Sequence, residues 1–413
     1  MTPPAPPAAR LLGNRDYVRF WSARFLSTVG VQIESVTLGW QVYAVARRTQ
    51  SVEQSAFLVG MLGLAQFLPL FALTFLAGET ADRRERKRIV LTCSAIEVVV
   101  AATLAVIAHG PPPPLAALFI AAAVFGAARA FLSPALGAMG PMLVPPPLLP
   151  KAIAWNSLAW QGGAVVGPWI GGLLCALDPF YGYVAAALLY AGSALSMSGV
   201  RTDTRPAAQP GSRLELIREG IGYVWRNKIV LGAISLDLFA VLLGGATALL
   251  PVFARDVLSV GAHGFGVLRS GPAIGAGLSA LVLARRPIHR HAGAWMFAGV
   301  AVFGAATIVF AVSRTLWMSV AALAVLGAAD MISVYVRQTL VQVVTPDPMR
   351  GRVSAVSGLF IGASNELGEF ESGVVARGLG PVGAALFGGV GALVVTVVWA
   401  RLFPTLRKAD GLT

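Results

Sequence analysis

Long apolar runs, punctuated by proline, glycine and clustered charge, constrain this chain more than any other feature. A helix rises 1.5 Å per residue, so about 20 mostly apolar residues cross the hydrocarbon core of a bilayer. Twelve such runs occur, over 19–46, 55–77, 89–109, 115–139, 151–176, 180–200, 229–254, 263–284, 293–312, 316–340, 352–376 and 381–403. Inside a bilayer every backbone N–H and C=O needs an internal partner, and runs of this length meet that need as helices. Composition agrees: charged residues are 12% and hydrophobic residues 56% of the 413, where soluble domains carry roughly 25% charge. Soluble globular and disordered classes are excluded, and the expectation is an all-α membrane protein. The first, fifth and eleventh runs are the most polar, which predicts faces turned toward protein or water.

The net charge of +13 would suggest nucleic acid in a soluble chain, but its placement argues otherwise. With the N-terminus inside, about 23 of the 32 Lys and Arg fall in cytoplasmic segments and about 6 opposite, the asymmetry that orients membrane proteins. Arg24, Arg129 and Arg337 lie within helices. Both termini are therefore expected in the cytoplasm, with no nucleic-acid partner. The opening MTPPAPPAARLLGNRDYVRF reads as a short cytosolic tail, since it lacks the apolar core and cleavage site of a signal peptide. Cys93 and Cys175 both sit in apolar stretches and imply no disulfide framework.

One connection, 201–228, is longer than the rest. It opens as a Pro-rich linker, RTDTRPAAQPGS, and continues as RLELIREGIGYVWRNK. There Leu214, Ile217, Ile221 and Val224 recur at helical spacing, which predicts an amphipathic helix at the membrane surface. The linker divides the chain into six-helix lobes, 1–200 and 229–413. An internal repeat supports the division: one constant offset places Gly126-Ala-Ala-Arg129 on Gly327-Ala-Ala-Asp330, Pro145 on Pro346, Lys151 on Arg352, Gly167 on Gly368 and Gly172 on Gly373. Parallel six-helix repeats are a transporter architecture, with the substrate site between the halves.

Two motifs make the reading specific. After the second run comes Gly78-Glu-Thr-Ala-Asp82-Arg83-Arg84-Glu-Arg86-Lys87-Arg88, which resembles the G-x-x-x-D-R-x-x-R-[RK] loop of the major facilitator superfamily. The resemblance implies that Asp82 and Arg86, with Gly78, Arg83 and Lys87, form a cytoplasmic conformational lock. The fifth run holds Gly163-Ala-Val-Val-Gly167-Pro168-Trp-Ile-Gly171-Gly172, similar to the motif of the superfamily's exporting, proton-antiporting branches. Glycines four apart line one helix face for close packing, and Pro168 removes a backbone donor. AQFLPL, Arg337-Gln-Thr-Leu-Val-Gln, Arg350-Gly-Arg352 and Gly362-Ala-Ser-Asn365-Glu366-Leu-Gly368-Glu369-Phe-Glu371 resemble the enterobactin-exporter-like branch, which includes siderophore and drug efflux proteins. That resemblance implies the major facilitator fold, twelve helices in two lobes, in the bacterial inner membrane.

Ionisable side chains inside apolar helices cost about 2.5–3.5 kcal/mol each on insertion scales unless paired or hydrated. Glu34, Arg129 and Asp330 lie near mid-helix, and Asp237 and Glu366 fall within other spans. By resemblance, helices 1, 4, 7 and 10 line the cavity, so these residues are expected to form a proton-coupling and substrate cavity that Arg129 and Asp330 share. Glu369 and Glu371 cannot both share a face with Glu366, and Glu97, in a peripheral helix, is expected to be structural. Trp40, Tyr43, Trp155, Trp160 and Phe239 are candidate stacking partners for a planar substrate. His109, His289 and His291 have no metal-ligand spacing, and no G-x-x-x-x-G-K-[ST] occurs, so no metal, ATP or other cofactor is expected. The expectation is a monomeric, non-enzymatic secondary transporter that exports a small organic molecule, a siderophore or amphipathic drug, by proton antiport. A nutrient importer of the same superfamily or a membrane sensor are the alternatives.

Overall fold

The computed structural model describes residues 11–205 and 213–410. The first ten residues of the expected tail, the 206–212 part of the linker, and the side chains of Leu214 and Ile217 lie outside the described residues. The described residues are almost entirely helical, with no strand among them. The long helices are α1 (Arg15–Ala46), α2 (Val52–Arg83), α3 (Arg86–Ala108), α4 (Leu115–Met142), α5 (Leu149–Leu177) and α6 (Pro179–Ser198). The shorter α7 (Arg213–Arg226) follows, then α8 (Lys228–Leu243) and a single turn α9 (Leu250–Val252). The rest are α10 (Gly261–Arg285), α11 (Ala292–Val312), α12 (Leu316–Val344), α13 (Asp347–Leu402) and the short α14 (Pro404–Arg407).

Among the described residues, nine helical stretches are long and apolar enough to cross a membrane. Helices α1 and α5 have the length but a more polar sequence, matching the polar first and fifth runs. Helix α13 holds the last two runs about a kink at Gly380, whose φ of 72° suits a residue without Cβ. Twelve spans are thus accommodated.

Starts and stops follow local chemistry. Asn14 accepts the Tyr17 amide at 3.1 Å and Asp178 the Phe180 amide at 2.8 Å, capping α1 and α6. Asn227 takes the Ile229 and Val230 amides at the head of α8. Within the spans Thr37, Thr74, Thr103, Thr307 and Thr396 return their hydroxyls to the carbonyl one turn back, which satisfies a donor that lipid cannot.

The run expected as one helix over 229–254 is broken. Helix α8 stops at Gly244-Gly245, a 3₁₀ turn spans Ala246–Leu249, and a π-helical turn occupies Phe253–Val257. Close packing explains the stop: Gly245 lies against the backbone of Gly368 on α13. The amphipathic α7 packs on α8 and α13. Its inner face is set by Val224, Gly220 and Tyr223, while Ile221, expected on that face, is exposed.

By packing, the described residues divide into two compact units, 11–38 with 68–205 and 39–67 with 213–410.

Candidate functional site

In the first unit α1 is the organising helix. The glycines of the fifth run face it: a Cβ on Gly163 would lie 2.7 Å from Thr28, on Gly167 2.6 Å from Gln32, and on Gly171 3.1 Å from Ile33. One glycine per turn thus brings α5 onto the α1 backbone, the close approach that small residues allow in membranes. Pro168 and the buried Gly172 belong to the same stretch. On another face, Gly30 sits against the Tyr190 ring of α6, with 3.0 Å left for a Cβ.

That approach delivers Tyr190 to Glu34. The phenol donates to Glu34 Oε2 at 2.7 Å, and both residues are buried, Glu34 at 1% exposure. Glu34 Oε1 has no hydrogen-bond partner. Glu97 on α3 is fully buried with neither carboxylate oxygen hydrogen-bonded, and it feels the charges of Glu34 and of Arg129 on α4. The Arg129 guanidinium lies 5.8 Å over the Phe125 ring. Glu34 and Arg129 are brought into one neighbourhood, and Glu97 joins them, a grouping the sequence did not suggest. The signal was present: Glu97 is the one carboxylate in the apolar run 89–109.

The second unit has a counterpart. Asp237 on α8 and Arg337 on α12 are buried at 5% and 1% exposure, with Nη1 3.3 Å from Oδ2. The contact is an ion pair without a hydrogen bond at Nη1, and Arg337 Nε also has no hydrogen-bond partner. Asp330 lies two turns before Arg337 on α12, with Ser333 between them. Asp237, Asp330 and Ser333 line a cavity of about 10 Å³ closed by Val300 and Phe303, room for about one water with polar partners. Each unit therefore carries two acids and one arginine within its helices, of which Glu34, Glu97, Asp237 and Arg337 are buried. Arg129 and Asp330 lie in different units, each beside charges of its own unit. Arg337, read from sequence as a base within a helix and given no role, is a central member.

The remaining expected residues are dispersed. Glu366 faces the α2 side of α13, where its backbone carbonyl lies 3.2 Å from a Cβ built on Gly63. Glu369 packs its carboxylate on Gly63 and stands 4.0 Å from Arg269, while Glu371 lies beside Ser372. Of the aromatics, Trp40 stacks on Phe265, Tyr43 donates to Asp256, Trp155 packs edge-on to Trp21, Phe239 lies against Trp399, and Trp160 is exposed. Asp256, in the π turn, also pairs with Arg47 at 3.4 Å; neither residue was singled out in the sequence.

The loop motif makes several contacts within the first unit. Helix α2 runs through the buried Gly78 and the exposed Asp82 to Arg83, which pairs with Glu79 at 2.8 Å. Arg86 donates to the carbonyls of Ala81 and Ala138, the latter near the C-terminal end of α4, where positive charge is favoured. Lys87 donates to the carbonyls of Ser198 and Val200 at 2.9 and 2.7 Å, closing the end of α6. Nearby, Asp16 accepts from the Arg201 amide and from the Thr202 amide and hydroxyl. Burial alone would push that carboxyl up, but these bonds and Arg19 outweigh it and hold it below its ordinary value. Among the described residues no group of His, Cys, Asp and Glu could hold a metal ion.

Comparison with known proteins places this architecture. The family model described as transmembrane secretion effector matches residues 9–412. Enterobactin exporter EntS of Shigella boydii serotype 18 is 27% identical over 394 residues, covering 94% of this chain and 91% of that protein; EntS of Escherichia coli O1:K1 gives the same identity and coverage. Among solved structures, the POT family transporter PepTSo aligns with a TM-score of 0.75 at 12% identity, covering 96% of this chain and 99% of that one. A D-xylose-proton symporter aligns at 0.72 and 11% identity, covering 97% and 100%. The fold is the major facilitator fold, and this multi-pass membrane protein belongs to the transmembrane secretion effector family of the major facilitator superfamily.

Proposed function

We propose that the chain is a secondary active transporter of the bacterial inner membrane that exports a small organic molecule in exchange for protons. The observation that carries this reading is the burial of carboxylates at mid-helix in each unit, Glu34 in one and Asp237 in the other, where Asp330 lines the same small cavity. A carboxylate in an apolar helix bundle is costly to keep charged, so taking up or losing a proton there changes which conformation is favoured. A proton shifts that equilibrium only if the two conformations bind it with different affinity. The bundle supplies the difference by hydrating the carboxylate in one state and burying it in the other.

The match to exporters over nearly the whole chain favours efflux, and a catecholate siderophore such as enterobactin or an amphipathic drug suits it. Arg129 is the group that would attract an anionic substrate. One chain is sufficient for the cycle, with both termini cytoplasmic as the basic loops require. Inverted membrane vesicles loaded by an imposed proton gradient test the reading, with enterobactin and cationic dyes as probes. Uptake into the vesicles should rise with the gradient and collapse when it is dissipated. Equilibration of every transported probe at the same rate with and without the gradient would rule out antiport.

A further inference from the structure

Where α2 turns into α3, a strip of chain from beyond α6 is pinned across the turn. The Arg86 amide donates to the Thr204 carbonyl at 3.4 Å and the Lys87 amide to the Thr204 hydroxyl at 3.1 Å, and Thr204 is fully buried. That anchor sets Arg205 with Arg84 and Arg88 on the rim of a groove of about 620 Å³ between α3 and α4. Glu85 is the one carboxylate among the described residues that line it, and it pairs with Arg88 at 2.8 Å. Arg84, Arg88 and Arg205 are all exposed, so three guanidiniums at the mouth face one carboxylate. Past Arg205 the surface continues through Lys87 and Arg201, with Asp203 the further acid there. Below the mouth the walls are apolar: Ile89 and Ile96 from α3, and Val124, Ala127 and Phe131 from α4. Ile96 and Val124 are each 38% exposed, within helices long and apolar enough to cross a membrane. Beyond them Val99 and Val106 of α3 and Ile120 of α4 extend the exposed apolar face. In a bilayer such side chains meet acyl chains, and bases at the helix ends stand among the headgroups.

We infer that this groove binds one anionic phospholipid, with its phosphate among Arg84, Arg88 and Arg205 and an acyl chain between α3 and α4. Guanidinium forks match phosphate oxygens two at a time. A soluble anion would use the mouth but gain nothing from the apolar walls. A zwitterionic lipid would use the walls but bring its own cation to a mouth already positive. A phospholipid of net negative charge suits both parts, and basic pockets between membrane helices are the usual form of such sites. The binding is separate from transport and holds whatever gradient drives the carrier.

The test is photolabelling of the purified full-length protein in phosphatidylcholine nanodiscs. The probe is phosphatidylglycerol with a photoreactive acyl chain, its share of the lipid is varied, and adducts are located by peptide mass spectrometry. Adducts are expected on 89–96 and 124–131, saturating as the share rises, and unlabelled phosphatidylglycerol should displace them. Arg84→Gln with Arg205→Gln should raise the half-saturating share about thirtyfold, from about fivefold for each base lost at the surface. Arg84→Lys with Arg205→Lys keeps the charge and should stay within a few-fold of wild type. Arg290→Gln with Arg314→Gln removes two bases elsewhere and should leave the groove's labelling unchanged, and size-exclusion profiles report that each variant is folded. Displacement of the probe by glycerol 3-phosphate in solution would make this a site for free phosphate, and displacement by enterobactin would make it a substrate groove; either overturns the inference. So does an equal half-saturating share for a photoreactive phosphatidylcholine, an equal shift in the Arg290 and Arg314 variant, or adducts spread evenly over the exposed helix faces.

Discussion

Arg337 is the residue whose surroundings say most about this protein. A guanidinium at 1% exposure, 3.3 Å from Asp237, repays its desolvation only if its partner stays in place. Removing one member of a buried pair costs about 3–5 kcal/mol in soluble proteins, a ceiling here because Asp237 can take up a proton instead. Arg337→Met should therefore lower the thermal midpoint in detergent by several degrees, and Asp237→Asn in the same chain should restore most of the loss. Additive losses in the double variant would show that the two residues are not energetically linked. Residue by residue, the sequence revealed which ionisable groups are inside the membrane but not which of them meet. Glu34, Arg129, Asp237 and Asp330 were legible because each interrupts an apolar run. Their companions were not grouped with them: Glu97 was expected to be structural, Arg337 was given no role and Tyr190 was not named, because partnership depends on how helices rotate against one another, and no residue spacing encodes that.

At the scale of elements, the seam between α5 and α1 was readable and the break after α8 was not. Glycines at 163, 167 and 171 advertise a close helix contact, and the structure supplies its partner in Thr28, Gln32 and Ile33. The neighbouring Gly162 gives an internal control, since a Cβ there meets Phe25 at an ordinary 3.4 Å. Gly167→Ala is expected to cost about 1–3 kcal/mol, the usual range for overpacking, seen as a lower unfolding midpoint in lipid-detergent micelles. Gly162→Ala should leave that midpoint unchanged, and equal losses at both positions would disprove the seam. The 3₁₀ and π turns beyond Leu243 escaped an apolar-run reading because hydropathy is blind to hydrogen-bond register. They arise where Gly245 meets Gly368 and where Asp256 is held by Tyr43 and Arg47, contacts made by residues far apart in sequence.

For the whole molecule, the number and polarity of spans followed from length and composition, while the grouping of residues followed from packing. Composition marks a boundary in the polar linker; packing groups 39–67 with the C-terminal residues, through contacts such as Trp40 with Phe265 and Gly60 with Gly373. Orientation is the property most directly carried by charge, and single cysteines can check it, because native Cys93 and Cys175 are both buried. In a chain lacking them, Arg314→Cys, between α11 and α12, should react with an impermeant maleimide in intact cells. Arg290→Cys, before α11, should react only in inverted vesicles, and the reverse pattern would refute cytoplasmic termini. The pairing of two acids with one arginine in each unit also bears on energetics. Under the proposed antiport, each proton carried inward moves charge through the membrane field, worth about 2.3 kcal/mol per 100 mV. Expelling an anionic catecholate in the same cycle adds a second charge movement of the same sign. Membrane voltage alone, with no pH difference, would then drive export, and anionic cargo would respond to it more steeply than neutral cargo.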